Sequence, residues 1–170
     1  KLSEGMKPKD VLDLLSEYQT KMVAAIFHNG GTVDKFIGDS VMATFGTPFS
    51  KGNDSQNALN CLRQMQISMR EWAQERQEKG LPVVKHRIGV HFGECFVGNV
   101  GSEDRFEYTV IGDTVNVASR ICEGCKDVGA DVLISEQVMS RLSENLTSEK
   151  VVDFSVRGRS KKIKLHKIMV

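Results

Sequence analysis

Residues 32–45 read Thr-Val-Asp-Lys-Phe-Ile-Gly-Asp-Ser-Val-Met-Ala-Thr-Phe. Two β-rich runs, Thr32 to Ile37 and Val41 to Phe45, are separated only by Gly38-Asp39-Ser40, a linker short enough for a tight hairpin with Asp39 at its tip. Helical patterns lie on both sides. Upstream, after Pro8 and a candidate N-cap at Asp10, apolar residues recur at Val11, Leu15, Tyr18, Met22 and Ile26, the spacing of one helix face, until Asn29-Gly30-Gly31 stops them. Downstream, a polar loop from Thr47 to Ser55 leads into Ala58, Leu62, Met65, Met69 and Trp72, a second helical stripe ended by Gly80 and Pro82.

The rest of the chain continues in short strands. Val84, Ile88, Val90 and Phe92 alternate with polar or small residues, and Cys95 to Val100 follows Gly93-Glu94, which predicts a second hairpin there. Residues 101–107 are charged and turn-like, Tyr108 to Ile111 is strand-like, and Asp113-Thr114 can cap a helix running to about Gly124. A strand at Val132 to Ile134, a short helix from Ser135 and strands near 151–156 and 162–168 complete the chain. Helices separated by hairpins, rather than strict strand–helix alternation, predict an α+β domain with helices on one face of a mainly antiparallel sheet.

Composition bounds the function. The 170 residues are 40% hydrophobic and 26% charged, with 15 Gly and 3 Pro, which fits one globular domain of residues 1–170 rather than a disordered chain. The longest apolar run, Met22 to Phe27, is too short to cross a bilayer. Lys plus Arg total 23 against 22 Asp plus Glu, a formal charge of +1, so any anionic ligand must be held by local charges. Cys61, Cys95, Cys122 and Cys125 lack the spacing of a disulfide framework, as expected for a reducing compartment. No signal peptide is visible, and a start at Lys1 rather than Met reads as a piece of a longer protein.

Neither a Gly-Lys phosphate loop nor a Gly-x-Gly dinucleotide turn is present, so a nucleotide site would be of another kind. Asp39 is either an ordinary turn residue or an exposed ligand. Lys35 shares, by alternation, the strand face of Val33 and Ile37, while Phe36 makes the other face apolar as well; the lysine either snorkels at an edge or lines a polar pocket, and in both cases it needs a partner. Asn116 and Arg120, four apart in a helical stretch, present an amide and a guanidinium on one face, which is either solvated or suited to a phosphoryl group gaining charge. Arg157-Gly158-Arg159 and Lys161, Lys162, Lys164 and Lys167 form a basic run that reads as a wet strand edge; no aromatic residues interleave with it, which argues against a nucleic-acid partner. Cys122-x-x-Cys125 has no second pair for zinc, and His86 and His91 have no ligand-spaced partner.

The order of these signals is more specific than any one of them. Gly-Gly-Thr-Val-Asp-Lys-Phe-Ile-Gly-Asp (30–39), Gly-Val-His-Phe-Gly-Glu-Cys-Phe-Val-Gly-Asn-Val-Gly (89–101), Tyr-Thr-Val-Ile-Gly-Asp-Thr-Val-Asn-Val-Ala-Ser-Arg (108–120) and Val-Arg-Gly-Arg (156–159) together resemble the catalytic domain of class III nucleotidyl cyclases, the adenylate and guanylate cyclases. The resemblance runs from Leu2-Ser3-Glu4 to the C-terminal strands.

It implies a ferredoxin-like nucleotide cyclase fold and a two-metal reaction that converts ATP to cyclic AMP and pyrophosphate. Asp39 matches the second of two aspartates that hold two divalent ions, Mg2+ or Mn2+; Lys35 matches the purine reader and Thr109 its partner in base recognition. A lysine at that position implies adenine, because guanylate cyclases typically carry Glu there. Asn116 and Arg120 match the pair that orients the ribose and stabilises the pentavalent phosphorane, and Arg157 matches a basic residue, commonly Lys, on the terminal phosphates. The resemblance further implies a head-to-tail homodimer with shared sites, to which residues 101–107 contribute an arm. It implies a catalytic domain facing the cytoplasm without touching the membrane itself, and regulatory domains elsewhere in a parent chain that is itself either soluble or membrane-bound. The first metal aspartate and a strand buried inside the sheet are expected immediately before Lys1. Their absence from this sequence leaves two alternatives to adenylate cyclase chemistry: a catalytically silent cyclase-like module that binds nucleotide or regulates a partner, and, on different grounds, a guanylate cyclase.

Overall fold

A computed structural model describes residues 5–154 and 162–169, without the side chains of 151–154. The elements run α1 (Pro8–His28), β1 (Thr32–Ile37), β2 (Ser40–Thr44), α2 (Asp54–Glu78), β3 (Ile88–Val90), β4 (Phe96–Gly101), β5 (Phe106–Ile111), α3 (Asp113–Gly124), β6 (Val132–Ser135), α4 (Glu136–Met139), β7 (Ser148–Phe154) and β8 (Ile163–Ile168). They fall into two compact units, Lys1–Thr47 with Asn57–Lys85, and Pro48–Gln56 with His86–Val170. The architecture is α+β, and among the described residues every strand pairing is antiparallel except β3 with β6.

In the first unit, α1 buries Met22, Ala25 and Ile26, and α2 buries Leu59, Cys61 and the whole stripe Ala58, Leu62, Met65, Met69 and Trp72 read from the sequence, whereas Val11, Leu15 and Tyr18 of the α1 stripe are half-buried. Removing each large side chain from water contributes about 1.5–3 kcal/mol. Trp72 is held on both polar and apolar sides: its indole N–H donates to Glu17 at 2.7 Å, Tyr18 stacks on it, and the Arg76 guanidinium lies 5.1 Å from its ring centre. Arg76 is itself buried and donates through Nε to the Pro82 carbonyl. Helix α1 begins at Pro8 with Lys7 as N-cap, so Asp10 lies inside the first turn and is not the cap; proline at the first helical position sets the start because its φ is already helical. At the other end, Asn29 closes the helix and donates to Ala25 O and to Gln64. Gly31 then admits the close approach of β1, since a β-carbon there would stand 2.8 Å from the Phe45 ring.

The second unit centres on a sheet of order β3-β6-β8-β7, with β6 buried along its whole length. Val117 and Ile121 of α3, with Cys125 at its C-cap, form one core with Leu133, Ile163 and Leu165. The hairpin expected at Gly93-Glu94 is absent: β3 pairs with β6 in parallel, and β4 pairs instead with β5 through the turn in which Ser102 and Arg105 bond each other. The physical reason lies in the connecting loop. The Thr114 hydroxyl donates to the Glu94 carbonyl at 2.6 Å, which draws residues 91–95 across the start of α3 instead of into a reversal.

Candidate functional site

The β1–β2 hairpin carries two of the expected site residues. Ile37 faces Ser40 across a two-residue turn, and Gly38 takes φ +60°, the left-handed backbone that such hairpin turns require. Asp39 is exposed in that turn, and its side chain has no hydrogen bond or ion pair among the described residues. Lys35 is half-buried, with its Nζ 3.7 Å from Asp34 Oδ2.

That contact corrects the reading of the strand. Val33 faces Ala43 and Lys35 faces Met42, so the register slips between them and Asp34 is the extra residue of a β-bulge. Past the bulge, Lys35 shares its face with Thr32 and Ile37, not with Val33 and Ile37, because alternation resets where a residue is inserted. The partner that a half-buried ammonium needs is its own sequence neighbour. Asp34 was not singled out from sequence, since adjacent strand residues ordinarily point to opposite faces.

In the second unit, Thr109 sits on β5 opposite Gly98 and is 6% exposed. Strand β5 ends at Ile111 and α3 starts at Asp113, so Thr109, Asn116 and Arg120 are carried on consecutive elements. Gly112, in extended backbone, is the N-cap of α3; neither Asp113 nor Thr114 caps the helix, and the Thr114 hydroxyl is used on Glu94 instead. One side of α3 is sealed by Val117 and Ile121, both 0% exposed. Asn116 is exposed and Arg120 half-buried, one turn apart, and neither side chain has a hydrogen bond or ion pair among the described residues. A partly desolvated guanidinium with no anion beside it among the described residues favours binding one. Lys35 and Asp39 thus share one hairpin of the first unit, while Thr109, Asn116 and Arg120 belong to the second; Arg157 lies outside the described residues.

Cys122 and Cys125 are structural in character. They donate to the Arg87 and Ile88 carbonyls, and burial pushes both thiols up, Cys125 to about 11. Thiols so far from ionising are poor nucleophiles and metal ligands. Similarly, His91 Nδ1 is engaged with the Ser135 hydroxyl at 2.9 Å. No group of three or more His, Cys, Asp or Glu side chains among the described residues is placed to hold a metal, and none of the helices there is long and apolar enough to cross a membrane.

Comparison with known proteins gives one consistent result. The family model for the adenylate and guanylate cyclase catalytic domain matches residues 1–169. An adenylate cyclase of Anabaena cylindrica is 38% identical over 165 residues, 94% of this chain and 32% of that protein. The crystal structure of the adenylyl cyclase CyaB from P. aeruginosa superposes with a TM-score of 0.88 at 30% identity, covering 99% of this chain and 87% of that one. A crystallised guanylyl cyclase superposes with a TM-score of 0.84 at 32% identity, covering 98% and 84%. The chain spans between 25% and 32% of the length of the first curated relatives it matches.

Proposed function

The chain belongs to the family of adenylate and guanylate cyclase catalytic domains, and from that membership we propose that it closes ATP to 3′,5′-cyclic AMP with release of pyrophosphate. The observation that carries this reading is the pair Asn116 and Arg120, which make no hydrogen bond or ion pair among the described residues and lie on one face of a helix whose opposite face is fixed in the core. In the reaction the ribose 3′-oxygen forms a bond to the α-phosphorus as the bond to the pyrophosphate oxygen breaks, and the 3′-hydroxyl proton leaves to solvent. Negative charge grows on the non-bridging oxygens only as the pentavalent state forms. A guanidinium already held in place on α3 stabilises that charge more than it stabilises bound ATP, and so raises turnover. Asn116 orients the ribose, Lys35 donates to an adenine ring nitrogen, and Thr109 completes base recognition. Arg157 binds the terminal phosphates.

Asp39 suits a divalent ion in kind: an exposed carboxylate with no partner among the described residues is a hard oxygen donor of the type Mg2+ and Mn2+ take. One carboxylate does not make a two-metal site, and the second is assigned to an aspartate upstream of Lys1. When bound, the ions lower the pKa of the 3′-hydroxyl and offset triphosphate charge.

A head-to-tail homodimer is part of the same proposal. The β4–β5 ribbon leaves Phe96 61%, Phe106 65% and Tyr108 60% exposed, an apolar display that supports its use as an arm against a second copy. The catalytic domain is assigned to the cytosol, where ATP is available, with regulatory domains elsewhere in the parent chain.

The test is turnover of ATP by protein that includes the residues preceding Lys1, with Mn2+ present and GTP as the parallel substrate. Cyclic AMP as the main product is the expected result. Preference for GTP would favour the guanylate cyclase reading, which the guanylyl cyclase likeness supports and Lys35 opposes. Binding of an ATP analogue with no cyclic product from either nucleotide would establish a silent module instead.

A further inference from the structure

We propose that Asp34 is the positioning residue for Lys35 and thereby helps decide which purine the site accepts; this rests on the proposed role of Lys35 as reader of the base. Side chains of adjacent strand residues diverge to opposite faces, so an ion pair between neighbours requires a break in the pleat. The β-bulge at 33–35 supplies that break, making Asp34 the extra residue of the β1–β2 register, and its carboxylate lies 3.7 Å from the Lys35 ammonium. The burial is unequal. The Asp34 side chain is 6% exposed and that of Lys35 29%, so the carboxylate is the more enclosed member and the ammonium the one nearer solvent, where a ligand would meet it.

Why pinning matters follows from hydrogen-bond chemistry. An ammonium has three donors on a flexible four-carbon stem. Free to swing, it can donate to the adenine ring nitrogen or, with a small shift, to the carbonyl oxygen of guanine, and a lysine so placed discriminates poorly. Held by Asp34, it meets an acceptor on adenine and a ring N–H donor on guanine. The guanine N–H would then face a donor that cannot move aside, and discrimination of this kind is strong because a polar group is left unpaired. Asp34 acts through Lys35 and does not touch the nucleotide.

The experiment compares kcat/KM for ATP, GTP and 1-deaza-ATP, whose ring CH replaces the nitrogen that accepts from Lys35, in protein that includes the residues preceding Lys1. The unmodified protein is expected to lose at least about tenfold on going from ATP to 1-deaza-ATP. Asp34→Asn is expected to cut that penalty to about threefold or less, to narrow the ATP-to-GTP ratio, and to act mainly on KM. In a Lys35→Ala background, adding Asp34→Asn should leave base discrimination unchanged, because the coupled pair is already gone. Asp34→Glu, which keeps the charge but displaces it by one methylene, is expected to reduce the deaza penalty as well, and serves if the asparagine variant melts below assay temperature. A full penalty in both Asp34 variants, or an equal loss for ATP and 1-deaza-ATP, overturns the inference while leaving the proposed function standing. Absence of any deaza penalty in the unmodified protein overturns the inference together with the role of Lys35 as reader of the base, and absence of turnover overturns the proposed function as well.

Discussion

Gly89 of β3 lies so close to Cys122 of α3 that a β-carbon at position 89 would stand 2.3 Å from the Cys122 backbone nitrogen and 2.7 Å from the Ala118 carbonyl oxygen. Both obstacles are main chain, which cannot rotate away, so Gly89→Ala must push α3 off the sheet. Overpacking of this kind costs about 1–3 kcal/mol, and the expected outcome is a lower urea midpoint with an unchanged slope. Because α3 carries Asn116 and Arg120, turnover should fall further than the loss of folded protein accounts for. An unchanged midpoint would mean that α3 can lift from β3 at no cost.

Legibility from sequence followed the range of the interaction. The stripes of α1 and α2, the extent of α3 and the 32–44 hairpin depend on residues a turn or a tight loop apart, and spacing locates each, although Gly112 and not Asp113 or Thr114 caps α3. The partner of β3 was not, since Ile88, Gly89 and Val90 look the same whether they meet β4 next in the chain or β6 more than forty residues on. The cap of α1 was misplaced because two local signals competed, and Pro8 prevailed over Asp10. The one-face placement of Asn116 and Arg120 came directly from helical period. Asp34 escaped notice because a bulge is a property of the pairing with β2, and nothing in Val33-Asp34-Lys35 itself announces the inserted residue.

Lys35→Glu exchanges the amine for the residue typical of guanylate cyclases, yet it should not by itself produce an efficient GTP enzyme. The new carboxylate would replace a cation now 3.7 Å from Asp34, setting two like charges side by side where one is buried. The expected result is a loss of at least about tenfold in kcat/KM for ATP, with GTP turnover remaining below the ATP turnover of the unmodified protein. Lys35→Glu with Asp34→Asn should recover more GTP activity than Lys35→Glu alone. Efficient GTP turnover by the single variant would contradict this account of the hairpin.

Stability should decline on mild acidification through His86. Burial holds its imidazole below the ordinary 6.5, with Asp131 opposing from nearby. The unfolded chain therefore takes up this proton at a pH where the folded chain still refuses it. The contribution is complete above about 6.5 and drains away as pH falls from there toward the folded value. Glu136 adds a separate, more acidic window: its hydrogen bond to His166 at 2.8 Å lowers its carboxyl, so that stabilisation is present above the usual carboxylate range and disappears as pH drops through the lowered value. Urea denaturation at a series of pH values should show both, and His86→Gln should flatten the first while sparing the second.

Asp39→Asn removes an exposed carboxylate with no partner among the described residues, so its melting temperature should match that of the unmodified protein. Turnover should nonetheless fall by at least about a hundredfold if the carboxylate holds a divalent ion that stabilises transition-state charge. Titration with Mn2+ separates binding from chemistry: the variant should need far more metal for half-maximal rate, and chelation should silence the unmodified protein. A variant with normal metal dependence would return Asp39 to the role of a turn residue.

Asn116 and Arg120 provide the sharpest separation of chemistry from folding. Substitutions on the Val117 and Ile121 side of α3 would open the core, whereas Asn116→Ala and Arg120→Ala remove side chains that make no hydrogen bond or ion pair among the described residues. Both variants should therefore melt normally. Groups that act on charge present only in the transition state lower kcat and leave KM nearly unchanged, and the loss from one such donor is about 10²–10³-fold. Arg120→Lys keeps the charge but not the planar fork, and should recover only part of the rate. The double variant should lose less than the product of the single losses, because the amide that orients the ribose and the guanidinium that stabilises the pentavalent phosphorus serve the same step and their effects are coupled. Independent, fully multiplicative losses would place the two side chains on different steps of the reaction.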